Sequence, residues 1–225
     1  MILSVHQPQY MPWLGFFHKI DQANLFVLLD NVQFKKNEWQ NRNRIKTARG
    51  WQWITVPVLF KFPQKISEVR INNKVNWSRK HLNSLISNYS RAPYFFQCRD
   101  FFENTYRKKW ESIVDISIYL IRYLSNTLGI KTKMIKASQL SLYEDPNERL
   151  IGFCKELGAD TYLSGEGGRG YLDIDKFRDA GIKVVFQNFQ HPVYRQLYDK
   201  FQPNMSVVDL LFNSGEKSLA IIRGG

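Results

Sequence analysis

A histidine closes the first apolar run of this chain. Met1-Ile2-Leu3-Ser4-Val5 reads as a buried strand, and His6, Gln7, Gln9 and Tyr10 follow it around Pro8 and before Pro12 and Trp13. Neither proline can donate to a sheet ladder, so the strand must end here, and Pro12 suits the first turn of a new helix. An imidazole at a strand end beside a helix N-terminus can act as general acid or base, or hold a phosphate. A core histidine satisfied by hydrogen bonds is the other reading.

A second candidate is the segment from Phe34 to Trp53. Between Lys35 and Arg49 it carries six basic residues and a single acid, Glu38. Asn37, Gln40, Asn41, Asn43 and Trp39 lie among them, with Arg42 and Arg44 flanking Asn43. Arginine forks grip phosphate or carboxylate, amides read sugar or base edges, and an indole offers a stacking face. A nucleoside diphosphate fits this composition, and so does RNA. A solvated basic hairpin is the plain alternative.

Leu163-Ser164-Gly165-Glu166-Gly167-Gly168 follows a short strand pattern and turns backbone N–H groups outward. It has neither the Gly-Lys-Ser/Thr ending of a Walker loop nor a dinucleotide fingerprint. Glu166 could orient an amine there. Near the C-terminal end stand His191, Tyr194, Arg195, Gln196 and, inside an apolar helical run, Asp209, which must be hydrogen-bonded or paired if it is buried. Cys98 and Cys154 are far apart, form no metal motif, and read as core.

Together these groups offer a candidate base, hydrogen-bond donors for a developing negative charge and a clamp on an anionic handle. His6 or Asp30 is the candidate base, and Gln7 and Lys19 are candidate oxyanion donors. Arg42 and Arg44 would hold a pyrophosphate with Trp39 against its base, which requires that they share one cleft with His6.

The elements that would position these groups alternate. Strands are expected at 2–5, 25–30, 51–58 and 68–71, after Gly129, and at 160–165 and 182–187. Helices are expected at 12–23, 77–89, 94–106, 110–128, 147–157 and 173–179, and at 206–212 with Ser206 as N-cap. Gly129 is the expected stop of the long helix. Such alternation predicts an α/β fold with a mostly parallel, Rossmann-like sheet. One domain over 1–225 is expected, with a helical cap or insertion at about 77–128.

The 225 residues are 44% hydrophobic and 23% charged, which excludes a disordered or collagenous chain. No apolar run is long enough for a membrane span, and no secretory signal opens the chain, so a cytoplasmic location is expected. The net charge of +12 favours anionic partners.

"HQPQYMPWLGFFHKI", "LLDNVQF" with "WQNRNRIKT", "DTYLSGEGG…YLD" and "SVVDLLFNSG" together resemble the WbqC-like family across nearly the whole chain. The motif positions are His6, Gln7, Pro8, Tyr10, Pro12, Trp13, Lys19, Asp30, Gln33, Arg42, Asn43, Arg44, Ser164, Gly165, Asp209 and Gly215. The resemblance implies a bacterial role in O-antigen or related surface-polysaccharide (lipopolysaccharide) synthesis: N-acyl or aminoacyl transfer, such as glycyl transfer, onto the amine of a nucleotide-linked amino sugar. The donor would be an activated acyl group on a thioester carrier. The opening is also similar to adenylate-forming amide ligases, which would need ATP with Mg²⁺, although Gln9 and Tyr10 stand where those ligases carry Gly-His. A non-enzymatic RNA- or polysaccharide-binding module is the rival class, with nucleic acid the less favoured partner. No metal site is expected.

Overall fold

The computed structural model describes residues 1–224. Its centre is a five-stranded sheet of β1 (Ile2–His6), β2 (Leu25–Leu28), β7 (Lys133–Lys136), β8 (Thr161–Ser164) and β9 (Lys183–Phe186), all parallel and ordered β7-β2-β1-β8-β9. Taken in chain order among themselves, the five strands run 3-2-1-4-5, the Rossmann-like arrangement. The chain moves outward from β1 to β2 and β7, then returns to pair β8 on the other side of β1. The order therefore reverses between β1 and β8.

Strand alternation explains why both faces are covered. Leu3, Val5, Leu25 and Val27 face α5 (Pro146–Glu156) and α6 (Ile174–Asp179), packing with Leu150, Ile151, Phe153 and Phe177. Phe26 and Leu28 point the other way, into a larger core with α1 (Leu14–Asp21), α4 (Ile113–Leu128) and α7 (Val207–Ser214). Such two-sided burial is why these strands read as near-continuous apolar runs.

The long segment between β2 and β7 holds more than helices. Ahead of α2 (Trp77–Tyr89), α3 (Phe95–Arg107) and α4 come two hairpins: β3 (Arg42–Thr47) with β4 (Gly50–Thr55), and β5 (Val58–Leu59) with β6 (Arg70–Ile71). The expected 51–58 strand is broken before Val58, and residues 42–47 of the basic segment, where no strand was expected, form one. The first helix begins at Leu14 rather than Pro12, because the Pro12 carbonyl accepts from Val207 N–H instead of starting a helix. Gly129 does end α4, at φ +83°, and Ser206 caps α7. A short terminal helix, α8 (Ser218–Arg223), was not expected. Among the described residues no helix is long and apolar enough to cross a membrane.

Candidate functional site

At the switch between β1 and β8, beyond the C-terminal ends of both strands, lies a cleft of about 340 Å³. Crevices at this position of open α/β sheets are where ligands bind. His6 and Gln7 enter from β1, Lys19 from α1, and Ser164, Gly165, Gly167 and Gly168 from β8 and its turn; Arg149 and Tyr171 line it as well. No carboxylate is among its lining residues, while Lys19 and Arg149 are, which suits an anionic ligand.

His6 is fixed in one tautomer. Its Nδ1 lies 2.9 Å from the Gln7 carbonyl, an acceptor, so Nδ1 carries the proton and Nε2 keeps its lone pair. No protein group bonds Nε2 among the described residues. Burial, and then the charge of Lys19, push the imidazole down to about 3, so it is neutral at neutral pH. Lys19 donates to the Val5 carbonyl at 2.9 Å, and burial lowers its ammonium to about 7. Two bases in one desolvated cleft thus resist carrying charge together.

Gln7 is oriented from outside the cleft. Gln40 Nε2 donates to Gln7 Oε1 at 2.7 Å, while Gln40 Oε1 accepts from Lys35 N–H at 2.8 Å. With its oxygen held, Gln7 keeps its own amide N–H groups for a ligand. Ser164 Oγ donates to the Gly165 carbonyl at 3.0 Å. Gly168 must lack a side chain, since a Cβ there would collide with Ser164 Oγ.

Of the expected site residues, the cleft gathers His6, Gln7, Lys19 and Ser164. Glu166 sits on the adjoining turn, exposed and paired with Arg169 at 2.9 Å. None of the remaining candidates lines the cleft. Asp30 is 1% exposed and both its oxygens accept from Ser138, N–H and hydroxyl each at 2.8 Å, so it braces the chain after β7. Tyr10 is fully buried, its hydroxyl bonded to His81 and Tyr106. Asn43 is fully buried and donates to the Met11 and Tyr10 carbonyls, fastening β3 to the loop after β1. Asp209 is buried under three donors, Tyr194 at 2.7 Å, Gln196 at 2.8 Å and Tyr89 at 2.9 Å. Gln33 donates to the Phe34 carbonyl, and Trp13 lies edge-on to Phe189. His191 accepts from Asn204 N–H through Nε2 and donates to the Pro192 carbonyl, holding the loop before α7.

Arg42 and Arg44 do not line the cleft. The β3–β4 register puts Arg44 opposite Trp53 and Lys46 opposite Trp51 on one face of the hairpin, while Asn43 and Ile45 turn to the core. The Arg42 guanidinium stands 4.1 Å from the Trp53 ring centre, and Arg44 lies 5.1 Å from Trp51 and 5.5 Å from Trp39. The expected sharing of one cleft by His6 and the arginines does not hold; the chain ahead of β3 meets the cleft through the Gln40–Gln7 bond. Residues that the sequence did not single out are Gln40 as orienter, Arg149 and Tyr171. Tyr171 belongs to the "YLD" that closes the quoted glycine-turn motif, whereas Arg149 lies in "ERLIGF" on α5, which carries no signal of its own.

A family model described as the WbqC-like protein family matches residues 7–221. The uncharacterized protein Rv1507c of Mycobacterium tuberculosis is 34% identical over 225 residues, spanning 98% of this chain and 97% of its own length. No solved structure matches the chain.

Proposed function

The chain belongs to the WbqC-like protein family, and from that premise we propose that it is an enzyme that acylates an amine in the cleft between β1 and β8. The observation that carries this reading is the pairing, in that cleft, of a neutral imidazole with a free Nε2 and a lysine poised near neutrality. An amine attacks the acyl carbon, a C–N bond forms, and the bond to the leaving group breaks. The attacking N–H donates to His6 Nε2, which orients it. At about 3, His6 is too weak a base to keep the proton, whereas Lys19 at about 7 matches the working pH and accepts it. Lys19 then returns the proton to the leaving group. The amide N–H groups of Gln7, held by Gln40, face the oxygen on which charge develops.

The acceptor in this reading is the amine of a nucleotide-linked amino sugar, its phosphates drawn to a cleft that carries Lys19 and Arg149 and no carboxylate. The donor is an activated acyl or aminoacyl group. The ATP-dependent version, in which the protein first adenylates a carboxylate, draws support from the Rossmann-like strand order and the switch-point cleft. A non-enzymatic reading, RNA or polysaccharide binding, rests on a different observation: Trp51 and Trp53 are 42% and 38% exposed beside Arg42 and Arg44.

The test mixes the purified protein with nucleotide-linked amino sugars and a panel of thioester donors, or free amino acids with ATP and Mg²⁺. Mass spectrometry reads the product. A new amide, lost in Lys19→Met and His6→Ala, is expected, and its dependence on ATP separates transferase from ligase. No amide across the panel, or activity that survives both substitutions, overturns the reading. Salt-sensitive RNA binding without any product would favour the binding module.

A further inference from the structure

A hollow larger than that cleft lies elsewhere. A basin of about 760 Å³ opens between the C-terminal end of α2, the start of α3, α7 and the loop before α7. Its walls include Arg91, Arg195, Tyr94, Tyr198 and Phe201, none of which belongs to the cleft between β1 and β8. Neither Arg91 nor Arg195 forms an ion pair among the described residues. Asp199 is the single carboxylate on the wall, while Asp209 beneath the floor is fully committed to Tyr89, Tyr194 and Gln196. A second hollow of about 460 Å³ shares Tyr198 and Asp199 with the basin and adds Lys46, Arg49 and Lys200. The combined surface is strongly cationic.

Tyr198 forms the ridge between the two hollows. Its φ of +68° is costly for a bulky residue. It is held at both ends: its carbonyl accepts from Lys46 Nζ, and its hydroxyl donates to the Asn88 carbonyl. A strained aromatic pinned beside two uncompensated guanidiniums is an arrangement that folding alone does not require.

We propose that this basin is a second ligand site, for a nucleoside diphosphate. Arg91 and Arg195 take the diphosphate, and the rings of Tyr94, Tyr198 and Phe201 face the base. The proposal does not depend on the chemistry assigned to His6 and Lys19.

The test is hydrogen–deuterium exchange of the whole protein with adenosine, guanosine, cytidine and uridine diphosphates at millimolar concentration. Slowed exchange at 91–94 and 194–201 with at least one of them is expected. The Arg91→Gln/Arg195→Gln variant should weaken that protection by about tenfold or more and leave any protection at 162–171 unchanged. Both arginines are exposed, and an unchanged Tm checks that the variant folds. Arg91→Lys/Arg195→Lys, which keeps the charge, should recover part of the binding. Protection absent at 194–201, confined to 162–171, or indifferent to the double substitution overturns the proposal.

Discussion

Gln40 Nε2 donates to Gln7 Oε1 across 2.7 Å, tying the approach to the β3–β4 hairpin to the mouth of the cleft. Gln40 itself does not line the cleft. Its effect on chemistry therefore runs through the direction in which it holds the Gln7 amide. Replacing it by leucine also strips Lys35 N–H of its acceptor. Gln40→Leu is expected to lower kcat about tenfold with little change in KM, and to cost about 1 kcal/mol of stability. Steady-state kinetics beside urea unfolding separates the two effects.

Lys19 predicts an alkaline gain in stability. Burial holds its folded pKa at about 7, below that of the unfolded chain. Between the two values the unfolded state binds more protons, so stability rises as pH climbs from about 7 towards 10. Keeping this amine dry costs on the order of 4 kcal/mol at neutral pH, part of it offset by the bond to Val5. Lys19→Met should abolish activity, raise Tm by roughly 5 °C at pH 7, and flatten the dependence on pH. A variant no more stable than the parent at pH 7 would refute this account of Lys19.

On the acid side, two histidines act together. His6 is held near 3 and His81 near 4, each mainly by burial. Both folded values lie below the unfolded one, so stability falls as pH drops from about 6.5 towards 4. The slope is about 1.4 kcal/mol per pH unit for each histidine. His81 accepts from the Tyr10 hydroxyl and donates to the Thr55 carbonyl, so protonation breaks a buried bond. Urea titrations from pH 4 to 7 should show a shallower slope in His81→Gln.

Asp209 is a structural carboxylate. Asp209→Ala leaves the hydroxyls of Tyr89 and Tyr194 without an acceptor in the interior. A loss of about 3 kcal/mol is expected, read as a lower urea midpoint. The amide formed per folded molecule should be unchanged.

Gly168→Ala drives a methyl group into Ser164 Oγ and the side chain of Leu172. A destabilisation of about 1–3 kcal/mol is expected, with a larger proportional loss of activity because Ser164 lines the cleft. Gly167→Ala meets open space and serves as the control for stability.

The inner strands β1, β2 and β8 were legible because they are buried on both faces and so appear as dense apolar runs. The strand β3 was not: Arg42-Asn43-Arg44 is polar on both faces. Asn43 is satisfied inside by carbonyls of the loop after β1, and the arginines stand against indoles on the other face. Polar residues with buried partners look like a loop until the partners are known. The same alternation turned Arg42 and Arg44 away from His6, and only the register against Trp53 and Trp51 reveals it. His6, Gln7, Lys19 and Ser164 could be grouped because strand ends and a following helix suffice to bring them together. Asp209 was rightly expected to be bonded if buried. That its partners are two tyrosines and a glutamine follows from packing between α2, α7 and the loop before α7, which no spacing encodes.

The position of β1 has a consequence for synthesis of the chain. Ile2 pairs with Thr161, and Ser4 Oγ donates to the Leu163 carbonyl, 159 residues further on. β1 leaves the ribosome well before β8 and must therefore wait, paired with β2 alone, until β8 emerges. A chain released early, short of that strand, can build its hairpins and helices and still have no place for a substrate. Truncated translation products should accordingly be inert, and a separately supplied C-terminal fragment carrying β8 and its glycine turn is the piece that would complete them.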